Sequence, residues 1–198
     1  MNGWTGSCLC IALESAVPRA YMTTMLSLIF LFLLTVAAME GFAYVMHRWV
    51  MHGPGWFLHE SHHRVRHGRF ELNDLYGAIF AIPSIVLLYG GVQAGWGDWA
   101  TAVGAGIAAY GAIYFGFHDI IVHRRLQHRF IPKSAYMKRI VQAHRLHHVL
   151  ESKHHGLSFG FLVAPSIDNL MIQLDSSRAK LRQPAGKAHS GRETIVQG

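Results

Sequence analysis

Three stretches of the chain stay apolar for the length of a bilayer crossing. Residues 23–46 are apolar apart from Glu40, residues 75–97 carry no charge, and residues 99–117 carry none either. A helix needs about 20 apolar residues to cross the hydrocarbon core, so each stretch is predicted to span it. Between the last two stands Gln93-Ala94-Gly95-Trp96-Gly97-Asp98, a short polar turn rich in glycine. It predicts a helical hairpin whose tip lies on the far side of the membrane. Pro83 is predicted to kink the second helix. A further apolar stretch, 156–167, has only twelve residues and contains Pro165. It reads as re-entrant or interfacial, with a fourth crossing left open. The fold expectation is an all-α integral membrane protein of three or four transmembrane helices with a histidine-rich helical cap on the cytoplasmic face.

Composition agrees with a membrane class, because 51% hydrophobic and 15% charged residues are too apolar for an ordinary soluble chain of 198 residues. A net charge of +7 raises nucleic acid as a partner, but the distribution of the charge argues against it. Arg19 precedes the first apolar run, 70–123 contains no Lys or Arg, and the other seventeen fall in 48–69 and 124–192. That is the asymmetry of basic cytoplasmic loops. Two crossings separate the histidines before Leu75 from those after Phe117, so both sets share one face. By charge that face is cytoplasmic, which leaves the N-terminus outside. Cys8 and Cys10, the only cysteines, make neither a disulfide framework nor a zinc ribbon. Residues 1–21 lack the basic start of a secretory signal and are expected to be dispensable, with Met22 or Met25 preceding the first apolar run. The aperiodic tail 176–198 is expected to be disordered, leaving 22–175 as the membrane-embedded domain.

Fifteen histidines are the second anomaly, since a polar ring in an apolar chain needs partners for its nitrogens. Ten follow one pattern written twice. His47 and His52 are followed by His59, His62 and His63, and His118 and His123 by His144, His147 and His148. The order H-x4-H, then H-x2-H-H, recurs. Positions i, i+3 and i+4 share a helix face, so each H-x2-H-H box is predicted to aim three imidazoles at one point. Positions i and i+5 are about 140° apart on an α-helix and cannot serve one metal without distortion. A helix end, a π-bulge, or one histidine per metal would resolve this. Ten imidazoles suit two metals with roughly five ligands each. Imidazole accepts Fe, Zn, Cu and Ni, so ligand type alone does not select the metal.

Isolated His67, His128 and His189 on basic segments read as solvated, while His154 and His155 are intermediate. Glu60 and Asp119 are candidates to accept the outer N–H of a ligating ring. Glu40, inside the first membrane helix, shares a face with His47 but lies two turns away, roughly 10 Å, so direct support of that ring is not expected. An intramembrane carboxylate is a functional flag, with a hydrogen bond to a neighbouring helix as the alternative.

With these residues the chain resembles the fatty acid hydroxylase superfamily and, within it, the bacterial-type β-carotene hydroxylases. The resemblance runs from about Met39 to Ile167 and rests on MHRWVMHG at 46–53, the box at 59–63, FELNDLY at 70–76, HDIIVHR at 118–124, QAHRLHH at 142–148 and SFGFLVAP at 158–165. The boxes are shared with desaturases, sterol oxidases and ketolases; FELNDLY and SFGF narrow the match. The resemblance implies a bacterial inner-membrane enzyme with a non-haem di-iron centre, using O₂ and external electrons to hydroxylate carbon 3 of each β-ionone ring of β-carotene or a related carotenoid. It implies that His47, His52, His59, His62, His63, His118, His123, His144, His147 and His148 are the iron ligands. His155 falls where similar bacterial sequences often carry histidine and is a secondary candidate. Asn73 and Asp74 are candidates for orienting ligands or water, with capping of the following helix as the alternative.

Unactivated C–H bonds call for a redox metal, which favours iron over zinc. The chain contains no dinucleotide fingerprint and no Cys₄ cluster motif, so a ferredoxin-type donor is implied, docking on the basic face from Arg124 to Arg145 or leaving that face to lipid headgroups. The rival readings are a ketolase, a sterol or fatty-acyl hydroxylase, a desaturase, and outside enzymes a metal transporter. Desaturases typically begin with H-x3-H, and transporters place ligands at the bilayer midplane. Replacing any of the ten box histidines with Ala is expected to abolish oxidation, whereas His189→Ala is expected to leave it intact. Pigment analysis of cells expressing each variant checks this, and full activity in His62→Ala would overturn the ligand set.

Overall fold

The computed structural model describes residues 19–182 apart from Arg66, His67 and Arg69. The expectations for His67, His189 and most of residues 1–21 lie outside the described residues. Among those described, regular structure is entirely helical. Helix α1 (Arg19–Val45) runs without a break into a π-helical segment, Met46–Met51; α2 (Trp56–His63) and α3 (Asp74–Val92) follow. Helix α4 (Asp98–Tyr114) runs into a second π-helical segment, Phe115–Val122, before α5 (Ala135–His147) and α6 (Ile167–Arg182).

Three spans are long and apolar enough to cross a membrane: Tyr21–Met51, Asp74–Val92 and Asp98–Val122. They match the three predicted crossings. The first and third continue past the expected apolar limits, so His47 and His118 ride on the ends of membrane helices. Gly95 (φ 68°) and Gly97 (φ 96°) form the hairpin tip in backbone conformations that glycine adopts without a Cβ clash. The Trp96 N–H donates to the Gly90 carbonyl across it at 2.9 Å.

Helix α4 packs against both α1 and α3, and its small residues set how closely. A Cβ on Gly104 would stand 2.9 Å from the Leu88 nitrogen and 3.0 Å from Leu88 Cγ on α3, and one on Gly106 would stand 2.7 Å from Thr35 Cβ on α1. With no water to expel between helices in lipid, such close van der Waals contact is what holds them. The Ser84 hydroxyl adds a hydrogen bond to the Gly104 carbonyl at 2.7 Å.

Helices α2, α5 and α6 lie outside the three apolar spans. The hydroxyl of Ser134 accepts the Met137 N–H and starts α5. Ile140 and Val141 of α5 then share one apolar cluster with Phe117, Leu157, Phe161, Leu170 and Leu174. Helix α6 extends past Ser176, where the tail is expected to begin, as far as Arg182. Leu170, Leu174 and Ser177 recur at i, i+4 and i+7 and are buried, so one face of α6 has a partner that composition alone did not reveal. Residues 156–166 form no helix, and Leu157, Phe161 and Ala164 fold inward, so among the described residues three helices and no fourth are long and apolar enough to cross a membrane.

Gly104→Leu is expected to force α3 and α4 apart, lowering stability by about 1–3 kcal/mol. Thermal unfolding in detergent checks this, with Gly111→Leu as the control because a Cβ there meets nothing within 4 Å.

Candidate metal centre

The ten box histidines converge into two groups of five. His47, His52, His59, His63 and His147 form one, His62, His118, His123, His144 and His148 the other, and within each group one nitrogen per ring lies within 4.8 Å of all the rest. The two π-helical segments explain the H-x4-H pairs. The His52 N–H donates to the His47 carbonyl at 3.0 Å, and the His123 N–H to the His118 carbonyl at 2.9 Å. An i to i+5 hydrogen bond widens the turn and stacks residue i+5 over residue i. Each pair therefore serves a single group, with ring centroids 5.1 Å apart in the first and 4.5 Å in the second.

The H-x2-H-H boxes behave differently from the expectation that each feeds one point. His59 and His63 stay in the first group while His62 crosses to the second; His144 and His148 stay in the second while His147 crosses to the first. On an α-helix, i and i+4 differ by about 40° whereas i+3 lies about 60° to the other side. The middle histidine of each box therefore points away from its neighbours, into the opposite group. Each repeat contributes four rings to its own group and one to its partner, which locks the halves together.

The outer nitrogens of five rings show how the inner nitrogens are turned to suit a cation. Nδ1 of His47 donates to the Phe159 carbonyl at 3.0 Å, Nδ1 of His52 to the Lys153 carbonyl at 3.3 Å, and Nδ1 of His59 to Asn73 Oδ1 at 2.7 Å. Nδ1 of His147 donates to the Leu157 carbonyl, and Nδ1 of His62 to Glu71 Oε2 at 3.0 Å. A neutral imidazole that donates through Nδ1 carries a lone pair at Nε2. Yet Nε2 of His47 lies 3.2 Å from that of His59, and Nε2 of His52 lies 3.2 Å from that of His147. In the second group the His62–His118 and His123–His144 pairs stand 3.1 and 3.0 Å apart. In the first group the lone pairs facing each other repel unless a cation sits between them, and in both groups about 3 Å is the separation of two nitrogens bound at right angles to a metal about 2.1 Å away. Burial, reinforced by neighbouring imidazoles, holds the rings in the neutral form a metal needs. It lowers His52 and His59 to about 4 and His148 to about 3, and pushes His62, His63, His144 and His147 well down. The donor set fits iron.

Comparison with known proteins agrees. The fatty acid hydroxylase family profile matches residues 32–171. The chain belongs to the fatty acid hydroxylase family. It is 42% identical over 165 residues to a β-carotene hydroxylase of Pantoea ananas, covering 83% of this chain and 93% of that one. It is 46% identical over 147 residues to a β-carotene hydroxylase of Paracoccus sp. (strain N81106 / MBIC 01143), covering 72% and 88%. A chloroplastic β-carotene hydroxylase 1 of Capsicum annuum is 38% identical over 132 residues, 64% of this chain and 40% of its own length. No solved structure matches.

Around the two groups this hydroxylase-family chain uses some of the predicted supporting residues and passes over others. Asn73 sits at the start of α3 without capping it, its side-chain oxygen taken by His59. Asp119 approaches Nδ1 of His118 at 3.5 Å and pairs with Arg125 at 2.8 Å. Asp74 pairs with Arg125 at 2.6 Å and accepts the Glu71 N–H at 3.0 Å. Glu60, expected to support a ring, instead faces outward onto Arg64 at 2.9 Å, because its position on α2 lies off the face that carries His59 and His63. His154 and His155 are exposed and outside both groups, and Nε2 of His128 contacts the Ile120 carbonyl at 2.8 Å. Sequence reasoning missed Glu71 and Arg125. Glu71 lies just inside the quoted FELNDLY motif, and the acidic pair in that motif flanking Asn73 was the available signal. Arg125 gathers Glu71 (3.3 Å), Asp74 and Asp119 and so ties the carboxylates of the second group together.

Glu71→Gln removes the carboxylate from His62 and one anion from Arg125. It is expected to weaken metal retention by about tenfold or more, as is usual for a partner of a ligating histidine, measured as metal content after dialysis against a chelator.

Proposed function

We propose that the chain is an O₂-dependent non-haem di-iron hydroxylase that adds a hydroxyl at carbon 3 of the β-ionone rings of β-carotene, through β-cryptoxanthin to zeaxanthin. The observation that carries the reading is the pair of five-histidine groups in a family member whose relatives, at 42–46% identity over most of its length, are β-carotene hydroxylases. The ten box histidines are proposed as the ligands, five to each iron. Iron held there supplies the O₂ activation that an unactivated C–H bond requires. One oxygen atom enters the C–H bond and the other leaves as water, consuming two electrons and two protons from an external donor.

The protein's own part is positional. The groups lie where α1 and α4 end, so a carotenoid dissolved in the bilayer brings its ring to the histidines while its polyene stays among apolar helices. Ligands at helix ends rather than at mid-membrane also disfavour a transporter. A cleft lined by His62, His63, His123, His144 and His148 opens between Arg64 and Arg145. Arg145 borders it, and Arg124, Arg129, Lys133, Lys138 and Arg139 are exposed in the segment leading to it. Such a face suits a ferredoxin-type donor, and its rim suits anionic lipid headgroups. The positive-inside asymmetry supports a cytoplasmic site and an outside N-terminus in a bacterial inner membrane.

Expression in a bacterium that accumulates β-carotene, with a ferredoxin supplied, is expected to yield β-cryptoxanthin and then zeaxanthin. Unchanged β-carotene despite membrane-inserted protein, or a keto product, would overturn the proposal.

A further inference from the structure

Glu40 is the one carboxylate inside the first membrane helix, and it does not touch a histidine. Its Oε1 accepts three consecutive backbone N–H groups, from Phe161 at 2.8 Å, Leu162 at 2.7 Å and Val163 at 3.1 Å. Its Oε2 accepts the Tyr110 hydroxyl of α4 at 2.8 Å. A carboxylate in apolar surroundings is stabilised by such an array, and the array is correspondingly hard to break. The irregular segment that it grips runs directly into the first histidine group. The carbonyl of Phe159 takes Nδ1 of His47 and the carbonyl of Leu157 takes Nδ1 of His147. The Phe159 ring packs edge-on against His47, His52 and His147, at 5.4, 5.1 and 5.5 Å. The turn needs Gly160, where a Cβ would stand 2.3 Å from the Val163 carbonyl oxygen. The second group draws its support from Glu71, Asp119 and Arg125, and meets this segment through the Phe161 ring, 5.9 Å from His118.

We propose that Glu40 is the positioning residue of the first histidine group: by clamping the backbone of 161–163 from within the membrane, it holds the carbonyls that orient His47 and His147 and so governs metal retention in that group alone. This rests on the two-metal reading above. The clamp joins α1, α4 and the 157–163 segment at one carboxylate, so a side chain two turns from the nearest ligand acts on the centre through backbone.

Glu40→Gln is isosteric and keeps an acceptor oxygen, but exchanges charge-assisted hydrogen bonds for neutral ones of roughly half the strength. Two measurements on full-length protein in detergent test the clamp. Amide exchange in the peptide covering 157–163 of the metal-free chain is expected to accelerate at least tenfold in Glu40→Gln while peptides of the α3–α4 hairpin stay unchanged. After iron loading, a chelator is expected to strip one iron per chain faster than from wild type. In Glu40→Gln combined with His52→Ala no further fast-released iron should appear, whereas adding His123→Ala should leave only the fast-released one. Unchanged exchange at 157–163 would overturn the clamp, as would both irons leaving together at one accelerated rate. A wild-type content other than two irons would overturn the two-metal reading by itself, and the exchange measurement would still decide the clamp.

Discussion

Ten imidazoles gathered into two groups, five of them turned inward by hydrogen bonds at Nδ1, are the constraint on which the rest of the molecule depends. Each ring that donates through Nδ1 presents a lone pair at Nε2, and in the first group two pairs of these lone pairs approach one another to 3.2 Å. The arrangement is unfavourable as a hydrogen-bonded core and favourable around cations. The scaffold must hold it against that repulsion before any metal arrives. Two features do so: widened π-helical turns at the ends of two membrane helices, and the exchange of one ring between the repeats, which makes neither group complete without the other half of the chain.

The membrane helices supply a rigid mount. Helix α4, kept thin by Gly104 and Gly106, lies against α1 and α3 and brings the ends carrying His47 and His118 side by side. The two histidine sets can share rings only because an even number of crossings returns the chain to the same face. Parity, close packing and ring exchange are thus one requirement seen at three scales.

The two groups are alike in ligand type and different in surroundings. Backbone carbonyls and the Asn73 amide hold the outer nitrogens of the first group, whereas Glu71 and Asp119, gathered by the half-buried Arg125, attend the second. A carboxylate partner makes an imidazole a more basic ligand than a carbonyl does. The halves of the repeat therefore present two chemically distinct positions, one braced by backbone held from Glu40 and one by an ionic network.

Much of this was legible in the chain itself. Apolar run length and the Gln93–Asp98 turn located three crossings to within a few residues, and the repeated spacing picked out all ten convergent histidines, because hydrophobic length and ligand spacing are local properties. Spacing also exposed a conflict at the i, i+5 pairs, and a π-bulge was among its stated resolutions. Which ring joins which group was decided only in three dimensions: His62 and His147 sit on the off-side of their own helices and meet the rings of the partner group. Arg125 and the Glu40 clamp were illegible for the same reason. Their partners are contributed by segments distant in sequence, such as Phe161 for Glu40 and Glu71 for Arg125, and a hydrogen bond or ion pair between distant segments leaves no period or spacing in either one.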